Sequence, residues 1–126
     1  SERLAHFYYI NRLADEGNIS ALITIADSYL DQYPNDHELM YIVAGYINAD
    51  KIVKKEHIDR SIYIMRQAVK LQDDSYTYYN LLSDLYSKFG DNKKALSSVN
   101  TAIEIAAKQS VSTELLEIKK QKLTSM

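Results

Sequence analysis

Three histidines, His6, His37 and His57, are the residues of this chain best suited to moving protons or binding a metal near neutral pH. They lie far apart, and none belongs to an HExxH or similar spacing that would put two imidazoles on one helical face. His6 falls on an apolar stripe, where a part-buried structural ring is expected, while His37 and His57 fall near helix starts, where solvated rings are expected. The acidic pairs Asp15/Glu16 and Asp73/Asp74 sit at helix ends and read as loop charge rather than as a general acid and base. There is no cysteine for a thiol nucleophile or thiolate metal site, and the isolated glycines form no G-x-S-x-G, P-loop or GxGxxG. Asn18-Ile19-Ser20 has the form of a glycosylation sequon, which arises often by chance. The residue types therefore predict no catalytic group, no cofactor and no metal.

What remains is a surface, and the elements that build it can be read from composition. The chain has 126 residues, of which 46% are hydrophobic and 25% charged, the profile of one folded domain. At this size about two-thirds of the extended chain's surface can be buried, so neither disulfide nor metal is required for a core. Only 3 glycines and 1 proline punctuate it, too few for a turn-rich β-sandwich or barrel, and an all-α fold is predicted. No apolar stretch approaches the ~18 residues of a membrane span, so membrane insertion is not expected. The start at Ser1, with no basic and apolar leader, reads as a mature protein or an excised domain. Its compartment stays open between cytoplasm and a bacterial periplasmic or secreted setting.

Charge is uneven along the chain. Residues 1–50 hold 8 acids and 2 bases, whereas residues 51–126 hold 9 acids and 13 bases. Such a gradient can steer a charged partner or align copies head to tail, which makes self-association an alternative role. Nucleic acid is not expected as a partner, because Lys51/Lys54/Lys55, Lys93/Lys94 and Lys119/Lys120/Lys122 are short runs without interleaved aromatics.

Internal repetition converts the helices into an architecture. Shifting Ser61, Met65 and Ala68 forward by 34 gives Ala95, Val99 and Ala102, and shifting them back by 39 gives Leu22, Ala26 and Tyr29. The larger shift fits a short insertion within 50–59. Gly17 and Gly90 are separated by the two shifts together, so both helix-ending glycines share one phase. Asn18 and Asp91 follow them as helix caps, Asn35 with Glu38 has capping-box spacing, and Pro34 closes the helix before it. The predicted helices span about 2–16, 19–33, 36–50, 58–72, 75–89, 92–108 and 112–125, with ends good to ~2 to 4 residues.

These residues resemble the tetratricopeptide repeats, 34-residue helical hairpins with an aromatic-x2-L-G-x2-Y stretch on the first helix and A-x3-F on the second. Tyr79-x2-Leu82-Ser83-x2-Tyr86, Gly90-Asp91 and Ala95-x3-Val99-x2-Ala102 carry the resemblance best. Met40-x2-Val43-Ala44-x2-Ile47 with Ser61, Met65 and Ala68 is looser, and His6-x2-Tyr9-Ile10-x2-Leu13 with Leu22, Ala26 and Tyr29 is weakest. The resemblance implies a right-handed superhelix, one domain over 1–126 with repeats at 3–36, 37–75 and 76–109, and a charged, amphipathic capping helix at 112–126. From the insertion onward the chain is also similar to helical tails that follow thioredoxin-like domains in some secreted bacterial proteins, which implies a spacer role beside a redox enzyme.

In proteins of this kind the first helices of successive repeats line a groove that binds a peptide. The implied face comprises Leu4, Phe7, Asn11 and Ala14, then Glu38, Tyr41, Gly45 and Asn48, then Thr77, Asn80, Asp84 and Ser87, each at i, i+3, i+7, i+10 spacing. Asn11, Asn48 and Asn80 can donate to and accept from a peptide backbone, and Phe7 and Tyr41 offer flat apolar contact. A carboxylate clamp is not expected, because no first helix offers a cationic pair there. Most of the eleven tyrosines are assigned to packing, Tyr9, Tyr29, Tyr79 and Tyr86 among them, with Tyr41 the clearest one left free. The register makes one demand directly: Ala102→Glu places an unpaired charge between packed helices and is expected to unfold the third repeat. A circular dichroism melt that is unchanged would show the register to be wrong.

Overall fold

The computed structural model describes residues 1–126 as seven helices joined by short turns. They are α1 (Glu2–Asp15), α2 (Ile19–Gln32), α3 (His37–Ala49), α4 (Lys55–Leu71), α5 (Tyr76–Phe89), α6 (Asn92–Lys108) and α7 (Glu114–Thr124). The ends agree with the sequence pattern to within two residues except at α4, which begins at Lys55 rather than 58. Part of the insertion thus lengthens a helix, and only residues 50–54 serve as connection.

Capping explains most boundaries. Ser1, Asn18, Asp36, Ser75 and Asp91 each accept a hydrogen bond from the backbone N–H three residues on, satisfying a donor that the helix itself leaves open. Gly90 takes the left-handed conformation at φ 98°, letting its N–H and that of Asp91 both reach the Tyr86 carbonyl at 3.0 and 2.9 Å. Gly17 ends α1 with φ 70°. The cap expected at Asn35 is displaced by one residue, and with Leu39 in the third helical position no capping box forms. Asp36 is the cap, donating its own N–H to the Tyr33 carbonyl across the Pro34 turn and accepting from Leu39 N–H at 3.1 Å.

Helices pack in chain order, each hairpin on the one before it; the apolar stripes of α1 to α5 meet in one core cluster, and Val99, Ala102, Ala106 and Leu116 of α6 and α7 form a second beside it. Met65, Ala68, Val99 and Ala102 are completely buried, together with Leu22 and Ala26, so the equal-phase expectation holds across all three hairpins. Within the third hairpin Ser83 Oγ donates to the Ala95 carbonyl at 2.8 Å, which requires the two helices to cross closely at that point. The second hairpin has Ala44 and Ser61 at the matching positions, but the first has Ile10 and Leu22, larger side chains that hold its helices further apart. Tyr78, rather than Tyr79 or Tyr86, is the deeply buried tyrosine of α5. The total exposed area is 7584 Å², above the ~6,900 Å² of a compact chain of this mass, as an open stack with two ends should give.

One junction ties three helices together. Asp36 caps α3, receives Arg3 Nε of α1 at 2.9 Å and receives the hydroxyl of buried Tyr29 of α2 at 2.8 Å. His6 stacks against Tyr29, its Nδ1 2.8 Å from the Glu2 carbonyl, a structural ring as expected. Burial alone would raise the Asp36 carboxyl, but the hydrogen bonds from Arg3, Tyr29 and Leu39 N–H outweigh it and hold the group below the usual carboxylate range. Burial, and then Asp36, push the Tyr29 hydroxyl up to about 12. A carboxyl with a lowered folded pKa contributes stability that is present above its unfolded value, near 3.9, and is lost as pH falls through the folded one. Asp36→Asn is therefore expected to be less stable than wild type at pH 7 by about 1–2 kcal/mol, with the gap narrowing as pH falls below the ordinary carboxylate value and through the lowered folded one. A gap of equal size at pH 3 and pH 7 in thermal melts would remove the charge from this account.

Candidate functional site

The twelve residues expected on the peptide-binding face lie on α1, α3 and α5, the first helix of each hairpin, and fall into four sets of equal phase. One row runs Leu4, Glu38, Thr77, all exposed; the next runs Phe7, Tyr41, Asn80, all half-buried. The third runs Asn11, Gly45, Asp84, and the last Ala14, Asn48, Ser87. Arg3 sits over the Phe7 ring at 4.5 Å and reaches Glu38 at 3.8 Å, so the first two rows are linked by a cation at one edge.

Several of these side chains join neighbouring helices rather than standing free. Tyr46 of α3 donates its hydroxyl to Asn11 Oδ1 of α1 at 2.6 Å. Tyr41 is not the free aromatic that the sequence predicts: it stacks on buried Tyr78 of α5 with centroids 5.0 Å apart and planes 24° apart. His37 is likewise not solvated, its Nδ1 lying 2.7 Å from the Tyr78 hydroxyl. Burial, and then Glu38, raise that hydroxyl above the ordinary tyrosine range. The ammonium of Lys88 on α5 meets the Asn48 carbonyl of α3, while Asn48 Oδ1 is enclosed without a partner. His57, also expected to be solvated, is half-buried with Nε2 3.4 Å from Ser20 Oγ.

The last helix extends the ladder. Lys119 of α7 donates to Asp84 Oδ1 at 2.6 Å and to Asn80 Oδ1, both on α5. Lys119 stands to Tyr46 as Gly90 stands to Gly17, two repeats on in the same phase, and Asp84 stands so to Asn11. The lysine bridge therefore repeats the tyrosine bridge in phase, and α7 takes the place of a fourth first helix, bringing Glu114, Ile118 and Gln121 into the rows of Asn80, Asp84 and Ser87. That phase was readable in the sequence once α7 is counted as a repeat helix. Glu114, Glu117 and Lys122 of α7 are exposed, and Leu115 and Ile118 are exposed with them.

Gly45 differs from every other residue on the face. It lies inside α3, where glycine costs about 1 kcal/mol relative to alanine, and a Cβ built on it meets no atom within 4 Å. Nothing inside the fold requires a glycine there, and the space above it is open.

No group of three or more histidine, aspartate or glutamate side chains is placed to hold a metal ion. On the outer side a hollow of about 390 Å³ lies between α2 and α4, walled by the Arg60–Asp27 pair at 2.7 Å, Tyr63 and Met40, and contains no histidine.

No family model and no curated protein matches the chain by sequence. Solved structures match it by shape. A crystal structure of the MamA protein aligns with a TM-score of 0.69 at 14% identity over 82% of this chain, and a MamA RS-1 ArsTM double mutant with 0.70 at 17% over 86%. The alignments cover 54% and 58% of those proteins, so this chain spans a little over half their length. PcrH, crystallised in complex with the chaperone binding region of PopD, aligns with a TM-score of 0.74 at 10% identity over 99% of this chain and 94% of its own. The fold is thus all-α and tetratricopeptide-like, with seven helices packed in sequence.

If the Lys119 bridge holds α7 in this position, Lys119→Ala is expected to cost about 1 kcal/mol, the range for a part-exposed ion pair with added hydrogen bonds. Amide exchange should quicken in α7 and leave α1 to α4 unchanged, and unchanged exchange in α7 would show that the bridge carries no docking energy.

Proposed function

We propose that this chain is a non-catalytic protein-interaction module that holds a peptide or a helical segment of a partner on its hollow face. The observation that carries the reading is Gly45. A mid-helix glycine that no packing contact demands lowers helix stability without any return inside the fold, and it opens a gap in the row between Asn11 and Asp84 where a bound chain can approach the α3 backbone. Phe7 and Tyr41 flank that gap with flat apolar surface, and Tyr41 is stiffened by its stack on Tyr78, so little side-chain entropy is left to lose on binding. Asn11, Thr77 and Ser87 add hydrogen-bonding groups along the rows, and Glu38 with Arg3 forms a charged pair at the edge. The bridged residues Asn80 and Asp84 act as a polar wall held by Lys119. The likeness in shape to PcrH, a protein crystallised with a segment of another protein, supports the same use.

Substitution at Gly45 separates binding from folding. Gly45→Ala is expected to raise the melting temperature by about 3 °C through helix propensity, since the added methyl meets open space. Gly45→Trp should keep the helical spectrum while filling the gap. Peptides selected on the wild-type protein from a random display library, then measured by fluorescence anisotropy, should lose at least about tenfold in affinity on the tryptophan variant. Selected peptides that bind both proteins equally would move the site off this face, and a library yielding no binder would argue against peptide recognition.

A further inference from the structure

The two ends of the stack carry a second set of surfaces, independent of the Gly45 gap. Along α1, Tyr8 is 75% exposed and Tyr9 51%. Their positions are not those of an ordinary wet helix face. In phase with Ala5, Tyr8 and Tyr9 stand Leu39, Ile42 and Val43 on α3, and Tyr78, Leu81 and Leu82 on α5, nearly all of them buried against the preceding hairpin. The outer flank of α1 therefore has the pattern of a surface that receives a hairpin. At the other end α7 leaves Leu115 80% exposed, Ile118 44% and Met126 80%.

These ends have opposite charge. Residues 1–36 hold 6 acids and 2 bases, while residues 92–126 hold 6 bases and 3 acids. From this complementarity, and from the shared phase of the exposed residues, we propose that the α1 flank of one copy seats on the α7 flank of a second copy, so that the stack continues from chain to chain, head to tail. The ladder supplies the register. Arg12 holds the phase of Tyr46 and Lys119, each of which reaches the preceding first helix, and Glu114 holds the phase of Asn80, the Lys119 acceptor. Arg12, paired with Glu16 at 3.3 Å within one chain, thus comes over Glu114 of the neighbouring copy. A single helix flank on each side gives a contact at the small end of protein interfaces, so association belongs near about 100 µM rather than nanomolar. Because the two surfaces differ, the contact is heterologous and leaves a free end on every oligomer.

Sedimentation equilibrium of the 126-residue chain tests this directly. The wild type should pass from monomer to dimer and higher species between about 10 µM and 1 mM in low salt, and association should weaken about tenfold or more in 0.5 M NaCl. Tyr8→Glu and Leu115→Glu alter exposed side chains, so their helical spectra serve as the folding control, and each alone should weaken association about 30-fold or more. Mixed, they should form a one-to-one dimer and nothing larger, because each retains one intact end. A wild type that stays monomeric at about 1 mM overturns the proposal. So does a Leu115→Glu protein that still dimerises alone, which indicates a symmetric α1-to-α1 contact. In the same assay Arg12→Glu should weaken association and Glu114→Arg in the same chain should restore it; failure of that rescue overturns the register.

Discussion

The close approach of paired helices at one small-residue crossing governs this molecule. Where Ser83 meets the Ala95 carbonyl, the hydrogen bond at 2.8 Å satisfies a hydroxyl that is fully buried. That crossing fixes the angle between helices, and the angle decides which face of each first helix meets the hairpin before it and which is left to the hollow side. Repetition of the small and apolar stripe then makes the second hairpin obey the same geometry. In the first hairpin Ile10 and Leu22 occupy the crossing instead, and its wider spacing is compensated by the Asp36 junction, which binds α1, α2 and α3 at one point.

Because successive first helices lie side by side, their facing residues do two tasks. Asn11, Tyr41, Asn80 and Asp84 hold neighbouring helices in place and are also the residues proposed to form the floor and wall of the binding face. A surface built in this way is rigid before anything binds. Rigid aromatic and amide groups lose little freedom on contact, which favours affinity per unit area and restricts the shapes that fit. Gly45 is the one residue of α3 that lowers helix propensity without a packing contact that demands it, and the proposed ligand would use the space it leaves.

A stack also differs from a closed globule in having ends. Each hairpin covers the apolar flank of its neighbour, so the first and last helices keep flanks with the composition of interior ones. Here α7 closes the α6 side with Leu116 and Leu123 yet carries Leu115 and Ile118 outward, and α1 carries Tyr8 and Tyr9 outward. Opposite charge at the two ends adds direction to what apolar surface alone would leave unselective.

The sequence by itself determined the helices, their order and their phase. Helix-ending glycines, capping oxygens and the recurrence of Met65 and Val99 are local or strictly periodic signals, and backbone hydrogen bonding and burial translate them directly into seven stacked helices. The same periodicity selected the residues of the proposed binding face. What only the tertiary structure decided is which of those residues are spoken for. Tyr41 stacks on Tyr78, His37 bonds to the same tyrosine, and Lys119 bridges Asn80 and Asp84, all through partners on a different helix and distant in the chain. Such pairings depend on the lateral offset between helices, and that offset is set by the summed volumes at every crossing in the stack, a quantity that no spacing along one helix contains.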